Sequence, residues 1–355
     1  MSHISLPAAQ HAAYGTLRRE LASQGLFEPD TAGYLRHCAW VVPAYCAGWW
    51  SLLQVHDPVL RLLLAFAQAF VMMQGAALGH EAGHAAVSRD PGINSLVGRL
   101  FMSFGSGSSQ ASWEKMHAAH HRHANTHADP NLKARLFCFT DQDARCARGL
   151  QAWCTRRQTF LFWPLITLMG ASFRLNSLGH MLADPRGTRH EQAWVLLHHV
   201  LWLVLPAAYI GWQAALANYL LVLWGCGAYL AAIFVANHLG HPTGSDAAEA
   251  GFMARQAGNA RNLKDSWLMR HLFIGLNSHI EHHLFRRISF TRLHLARAAT
   301  RRHCEAAGIT YHEVSILQAV AELHRHNRRM AGQVPAPQKQ APVDRSTGVP
   351  QIDLS

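Results

Sequence analysis

The chain has 355 residues and a net charge of +11, and half of its residues are hydrophobic while only 15% are charged. So low a charged fraction is unusual for a soluble protein. The 32 Lys and Arg residues lie mainly outside several long apolar runs, which is typical of integral membrane proteins. They are not interleaved with aromatic residues in a polar domain, so nucleic acid is not expected as a partner.

Residues 1–35 should form a cytoplasmic N-terminal segment. Leu17, Leu21 and Leu26 recur there at helical spacing, which predicts a solvated or interfacial helix. The segment lacks the apolar core and cleavage site of a secretory signal peptide, so none is expected. The seven scattered cysteines include no Cys-x-x-Cys pair and are interpreted as reduced thiols.

Four apolar runs then have the length of a membrane-crossing helix, about 20 residues. They cover residues 38–55, 59–79, 193–212 and 214–235. Very short links join them in pairs, so they should form two helical hairpins. The shorter apolar stretch from Phe160 to Phe173 ends at Arg174 and is interpreted as an interfacial helix. His198 and His199 lie inside the third run and are expected to pack or to bond between helices.

The distribution of Lys and Arg predicts the orientation of these runs. Only Arg61 lies near the hairpin tips, whereas the connecting segments at the other ends are rich in Lys and Arg. The positive-inside rule places those segments, and both termini, in the cytoplasm. Residues 290–330 are basic and helix-like and should complete a soluble cap. The predicted fold is therefore all-α: one membrane domain over residues 36–330, with a disordered tail over residues 331–355.

Histidines occur in three short boxes beside the apolar runs. The first is His80-Glu-Ala-Gly-His84, which continues directly from the second run. Its i, i+4 spacing places both imidazoles on one face of a helix. The second box holds His117, His120 and His121, and the third holds His279, His282 and His283. By the predicted topology, all three boxes meet at the cytoplasmic face.

Eight imidazoles in one place predict a metal centre, because neutral imidazole is the commonest metal-binding side chain. They are too many for one ion, so two metals are implied. Imidazole suits iron, zinc, copper and nickel rather than harder ions. Carboxylates normally orient such ligands from behind, and Glu81, Glu281 and Asp129 are the candidates. His123 and His127 lie outside the box pattern, and no metal is assigned to them.

At these residues the sequence resembles the membrane fatty acid desaturase family, from about Gly79 to Leu293. The family's second box is often followed by Asn and then Asp-Pro, matched here by Asn125 and Asp129-Pro130. Its third box lies in a Gly-Leu-Asn context, matched by residues 275–285. Two positions depart from the family pattern: His279 stands where many members have Gln, and Arg286 stands where Pro often occurs.

The resemblance implies two iron ions and O2 as co-substrate, with a long acyl chain converted to an alkene. It also implies that an Asn and a His after the last run extend the site. His241 is thereby predicted as a direct ligand and Asn237 as a ligand through water, and Asn125 is placed behind the ligands. His238, about 60° from His241 around an ideal helix, is predicted to face elsewhere.

The substrate carrier is left open between coenzyme A, acyl carrier protein and a membrane lipid. Electrons should come from a separate protein, such as a ferredoxin or a cytochrome-type carrier, since an acidic donor suits the basic face. A di-iron hydroxylase, an acetylenase or a carotenoid ketolase would carry the same boxes. More remote hypotheses are a metal transporter and a zinc metalloprotease that uses His80-Glu81-x-x-His84.

Overall fold

The computed structural model describes residues 6–133, 135–240 and 251–335, which fold almost entirely into helices. The α-helices, in chain order, are α1 (Leu6–Ser23), α2 (Thr31–Gln54), α3 (Pro58–Gly83), α4 (Pro91–Gly98), α5 (Gln110–His123), α6 (Asp141–Cys146), α7 (Gly149–Arg156), α8 (Gln158–Ile166), α9 (Met169–Ala183), α10 (Arg189–His199), α11 (Leu205–Ile210), α12 (Trp212–Asn237), α13 (Phe252–Gly258), α14 (Trp267–Leu272), α15 (His279–Leu284), α16 (Leu293–Ala306) and α17 (Ile316–Gln333). π-Helical turns occupy Arg99–Gly105 and Val200–Val204, and a 3₁₀ turn occupies Pro130–Leu132. Two short parallel strands, β1 (Asn262–Leu263) and β2 (Glu313–Val314), pair with each other.

Helices α3 and α12 form the central pair. Asp57 caps α3 by accepting from the amide of Leu60 at 2.7 Å, and Pro58 opens its first turn, where a missing amide costs nothing. The two backbones approach closely at Gly225 of α12, where a Cβ would lie only 2.6 Å from the Cβ of Ala69 on α3. Small residues at such crossings let membrane helices approach each other. Each helix is about 39 Å long at 1.5 Å per residue, so each can connect a membrane interior to a site outside it.

Within the described ranges, three helices are long and apolar enough to cross a membrane: Pro58–Gly83, Arg189–Ile210 and Trp212–Asn237. They contain or closely match three of the four predicted spans, and the second of them continues through the π-helical turn Val200–Val204. The remaining predicted span, residues 38–55, lies within α2, which is not among the three. The four-span topology therefore stays a prediction.

Helix α2 nevertheless runs alongside these helices, from the histidine boxes to the hairpin tips. Near its beginning, the Tyr34 hydroxyl donates to Glu81, at the end of α3 that carries the first histidine box. At its other end, Gln54 donates to the Tyr209 hydroxyl at 3.3 Å, next to the left-handed turn at Gly211 that starts α12. The two hairpin tips thus lie side by side, on the side of the molecule opposite the histidine boxes.

Helices α1 and α13 to α17 form a cap over the histidine-box ends of α2 and α3. One hydrophobic core joins α1, α13, α15 and α16 of this cap to Tyr34 of α2 and to Ala77 and Leu78 of α3. Leu17 and Leu21 of α1 are fully buried there, together with Leu26, Ile280 and Leu284. The prediction of a solvated or interfacial N-terminal helix is therefore wrong: its apolar stripe packs against the segment that carries the third histidine box. The cap helices α16 and α17 agree with the helix-like pattern predicted for residues 290–330.

Other predicted segments have mixed outcomes. The stretch from Phe160 to Phe173 contains two helices, α8 and the start of α9, separated at Thr167 and Leu168. Gly170 of α9 lies against α12, where a Cβ would be 2.7 Å from the Leu223 carbonyl. The seven cysteines are all free, as predicted. Of the predicted tail, residues 331–333 end α17, and residues 336–355 lie outside the described residues.

The first prediction concerns topology. Because Lys and Arg avoid the tips and the tips lie together, reporter fusions at Gln54 and Gln213 should both report the non-cytoplasmic side. A fusion after Gln333, at the end of the cap, should report the cytoplasm. Compartment-specific reporter activity measures each position, and a cytoplasmic signal at either tip would rule out the four-span topology.

Candidate metal centre

The first histidine box lies at the end of α3. His80 is in the last turn of the helix, and His84 is the residue that terminates it. The backbone turns sharply at this point, because Ala85 has a φ of 52°, in the left-handed region. The two imidazoles lie with ring centroids 4.6 Å apart on one face of the helix, as the i, i+4 spacing predicts.

The second and third boxes lie on two shorter helices. His117, His120 and His121 occupy the last two turns of α5, whose first turn is capped by the Ser109 side chain, accepting from Ser112 at 3.1 Å. His279, His282 and His283 lie on α15, whose residues are all buried. The Asn262 carboxamide oxygen accepts from the amide of Ile280 at 2.8 Å, so the strand pair fixes the start of this helix.

The boxes interleave into two groups of four imidazoles. Within each group the candidate ligand nitrogens all lie within 4.8 Å of one another. Each group takes its members from more than one box. The first group is His80, His84, His117 and His282, and the second is His120, His238, His279 and His283.

His121 lies between the two groups. Its Nε2 is 2.9 Å from the Nε2 of His117 in the first group. Its ring centroid is 4.4 Å from that of His283 in the second. The structure therefore brings together all eight box histidines that the sequence predicted as ligands.

The imidazole nitrogens meet in a way that hydrogen bonds alone do not satisfy. In the second group the Nε2 atom of His238 lies 2.7, 3.1 and 3.3 Å from those of His279, His120 and His283. A neutral imidazole has one donor and one acceptor nitrogen, so protons can pair these four Nε2 atoms two by two at most, whereas the His238 Nε2 is close to three others. Four nitrogens about 2.1 Å from a metal lie at similar mutual separations. This donor set fits one metal ion in each group.

Burial keeps six of these imidazoles neutral. Desolvation, followed by the neighbouring imidazoles, lowers the pKa well below its usual range in six of them: His84, His117, His121, His279, His282 and His283. Neutral imidazole is the form that offers a lone pair to a metal. The buried Nε2 of His282 has no hydrogen-bond partner among the described residues, which leaves its lone pair available.

Asp129 lies behind His120. Its carboxylate oxygens lie 2.9 and 3.0 Å from the His120 Nδ1. The same carboxylate accepts from the backbone amides of Asn125 at 2.8 Å and Asn131 at 2.9 Å. The pairing places the proton of His120 on Nδ1 and directs the bare Nε2 into the second group. Asn125 thus takes part through its backbone, in a left-handed conformation with a φ of 52°.

The two glutamates predicted behind the ligands differ in their contacts. Glu81 is buried, lies 3.3 Å from the His80 Nδ1, and accepts from the Phe290 amide at 2.9 Å. Glu281 is fully buried and accepts from Asn262 and from the Tyr311 hydroxyl, each at 2.8 Å. Burial raises the pKa of Glu281. Glu281 therefore ties α15 to the strand pair, and its hydrogen bonds in the described residues do not reach an imidazole.

His238 corrects a prediction. It was expected to face away from the boxes, but it lies in the second group. The expectation continued the α12 helix to residue 241, whereas α12 ends at Asn237 and His238 has a φ of −129°. Helical periodicity does not apply beyond that point. His241, predicted as a direct ligand, lies outside the described residues, so its role stays a prediction.

Three further buried residues lie around the end of α12. Asn237 is fully buried, and its side-chain amide has no hydrogen-bond partner among the described residues. Arg261, also fully buried, donates to the carbonyls of Val235 at 2.8 Å and Ala236 at 2.6 Å. Gln256 lies 3.0 Å from the His283 Nδ1 and donates to the His121 carbonyl at 2.8 Å. Neither helical periodicity nor a motif marks Gln256 or Arg261 as part of the site.

An apolar cavity begins at the first group of histidines. His80, Glu81 and Trp113 line it at one end, and it is partly open to the surroundings. Its walls descend between α3 and α12 and are mostly apolar. The wall residues on these two helices are Met72, Met73, Ala76, Ala77, Leu223, Cys226, Leu230 and Ile233.

Comparison with known proteins identifies the family. Residues 56–315, more than half of the chain, match the fatty acid desaturase family. The chain belongs to this family. This desaturase-family chain is similar to an acyl-lipid (8-3)-desaturase of Thraustochytrium sp., with 26% identity, 77% of this chain and 63% of that protein covered.

Two further relatives are similarly distant. A delta 8-(E)-sphingolipid desaturase of Candida albicans is 22% identical over 87% of this chain and 57% of that protein. Fatty acid desaturase 3 of Homo sapiens is 23% identical over 78% of this chain and 63% of that protein. The desaturase-family chain thus spans about three-fifths of the length of these curated relatives.

The second prediction concerns the metals. Because two groups of nitrogens converge, the purified protein should hold about two irons per chain. His238→Ala and His283→Ala should each lose iron and nearly all activity while still inserting in the membrane. Metal analysis and turnover measure this, with the exposed His127→Ala as the control. Normal iron content in His238→Ala would remove His238 from the centre, and the same measurement on His241→Ala tests that predicted ligand.

The third prediction concerns Asp129. In Asp129→Asn an amide donor would face the His120 Nδ1–H, so His120 should lose its orientation. Metal affinity should fall by about 10–100-fold, measured by competition with a chelator. Asp143→Asn, a change of the same kind in α6, should leave affinity unchanged. An unaltered affinity in Asp129→Asn would show that this carboxylate does not orient the ligand.

Proposed function

We propose that the chain is a membrane-bound fatty acyl desaturase that uses O2 and two electrons to introduce a double bond into a long acyl chain. The observation that carries the proposal is the position of His80. It belongs to the first histidine group and also lines the head of the apolar cavity. A metal held there would face an apolar chain in the cavity directly.

The proposed reaction is balanced as follows. A –CH2–CH2– unit, O2, two electrons and two protons give a –CH=CH– unit and two molecules of water. Two iron ions, held by the two histidine groups, would supply the oxidising power needed to remove hydrogen from an unactivated methylene. The carboxylates of Asp129 and Glu81 keep their partner imidazoles oriented.

The cavity walls position the substrate. Met72, Ala76, Leu230 and Ile233 offer apolar surface on both sides of a chain, which burial of the chain's methylenes would favour by about 0.8 kcal/mol per CH2. Trp113 stacks on His117 with ring centroids 4.4 Å apart. It therefore closes the space between the second box and the cavity and limits the access of water to the metal centre.

A polar pocket on the other side of α5 suits an anionic head group or carrier. Its lining includes Arg89, Arg99 and Arg287 together with Glu114 and Glu191. Arg89 forms an ion pair with Glu28, so Arg99 and Arg287 are the guanidiniums that would contact a phosphate-like group. Acyl-CoA, acyl-ACP and an acyl lipid all remain possible carriers. A separate ferredoxin or cytochrome-type protein would bring electrons to the basic face of the cap.

The proposed location is a multi-pass integral membrane protein with the centre and both termini cytoplasmic. The three long apolar helices support a membrane protein. The hairpin tips lie together at one end, and the histidine boxes at the other. This arrangement supports placing the metal centre at one membrane face.

A di-iron hydroxylase, acetylenase or carotenoid ketolase is the alternative that shares this centre. The relatives are acyl-lipid, sphingolipid and fatty acid desaturases, which favours desaturation. A zinc protease would need Glu81 free to act as a general base. Here Glu81 is buried and accepts from Tyr34 and from the Phe290 amide, and the seven other imidazoles of the centre would have no purpose.

The fourth prediction tests the reaction. A host of defined lipid composition should gain an unsaturated acyl chain when it expresses the protein, and none when it expresses His283→Ala. With labelled dioxygen the label should appear in water, because an alkene product contains no oxygen from O2. Mass spectrometry of the acyl chains measures the double bond and should find no label in the product. A labelled alcohol as the main product would identify a hydroxylase instead.

A further inference from the structure

The apolar cavity ends at an arginine. Arg174 of α9 lines it, together with Ser106 and Ser108. On α12 the cavity wall runs from Ile233 to Leu223, about 15 Å along the helix axis and away from His238. Arg174 donates to the hydroxyl of Tyr219 at 3.3 Å, one turn beyond Leu223. It therefore lies at the end of the cavity opposite the metal centre.

A polar network fixes the guanidinium in this position. Its Nη1 donates to the Gly107 carbonyl at 3.0 Å and lies 3.2 Å from the Nε2 of His198. His198 is fully buried, and its Nδ1 lies 2.8 Å from the Phe104 carbonyl. Gly107 must be glycine here, because it has a φ of +68° and a Cβ would lie 2.0 Å from Nη1. His198, which the sequence suggested for packing, thus supports Arg174.

The charge of Arg174 is not neutralised locally. Its partners in the described part of the chain are a carbonyl, an imidazole and a hydroxyl, not a carboxylate. All three involve one nitrogen, Nη1. A guanidinium has five N–H donors, and the residue is only partly buried and lines the cavity. Its remaining donors are therefore available to water at this end.

An acyl chain that reached Arg174 would displace that water and offer no acceptor. Leaving a buried charged donor unpaired weakens binding by on the order of tenfold or more. A binding site gains specificity when an unwanted ligand would leave one of its polar groups unpaired. We propose that Arg174, supported by Tyr219 and His198, is the polar end of the acyl cavity and limits the chain length that the enzyme accepts beyond the metal centre. The proposal rests on the acyl-desaturase function proposed above.

The experiment compares acyl chains that differ by two carbons. Purified full-length protein is tested for both binding, by displacement of a fluorescent fatty acid, and desaturation of the same chain series. Arg174→Leu should shift the preference toward the longer chains by about tenfold. Tyr219→Phe, which removes the hydroxyl that contacts Arg174 and His199 but little volume, should shift it in the same direction by a smaller factor. Arg157→Leu, the same change at an arginine that does not line the cavity, should leave the preference unchanged.

Thermal unfolding shows whether each variant is folded, and only the results of folded variants are compared. If Arg174→Leu does not fold, Tyr219→Phe decides the proposal alone. An unchanged chain-length profile in the folded variants overturns it. An equal loss of binding for all chain lengths also overturns it, because Arg174 would then hold a polar end of the ligand. Wild-type protein that binds chains selectively but never desaturates them would refute only the proposed reaction, and wild-type protein that binds no chain would refute both.

Discussion

The structure depends on the burial of neutral imidazoles around two points. Each imidazole loses its hydration, and this is tolerated only if its nitrogens are otherwise satisfied. Carboxylate and amide partners account for one nitrogen of several rings, as Asp129 does for His120 and Gln256 does for His283. The Nε2 atoms in the two groups meet several at a time, as the His238 Nε2 does with three others, which pairwise N–H···N bonds do not explain. A pair of bound metal ions would accept the lone pairs of these nitrogens. The surrounding fold holds the imidazoles in the positions that this requires.

The positions of these imidazoles depend on the residues at which two helices end. Helix α3 must end at Gly83, and α12 at Asn237, so that His84 and His238 can reach the histidines of α5 and α15. Arg261 stabilises the end of α12 by taking up carbonyls that a helix leaves unpaired in its last turn. Glu322 of α17 forms an ion pair with this arginine. The cap thus contributes to the metal centre through the backbone of α12 and not only through the third histidine box.

The sequence predicts what local spacing determines, and fails where the chain leaves regular structure. The i, i+4 pair His80 and His84 and the apolar runs of α3 and α12 could be predicted, because helical periodicity applies along their whole length. His238 could not, since its orientation follows from a helix end that an ideal helix does not show. Gln256 reaches His283 from a helix 27 positions earlier in the chain, a contact that only tertiary packing creates. The burial of Leu17 and Leu21 likewise requires knowledge of the cap against which they pack.

Backbone strain is concentrated around the same centre. In the described residues, Ala85, Asn125 and Ile274 are the non-glycine residues with positive φ, at 51–52°. Ala85 directly follows His84, Asn125 donates its amide to Asp129, and Ile274 lines the cavity shortly before the third box. Such conformations cost on the order of 1–3 kcal/mol each and persist only where the surroundings enforce them. A ligand that binds only the folded state stabilises that state. Metal binding between the boxes would therefore offset strain that the turns beside the histidines impose on the chain.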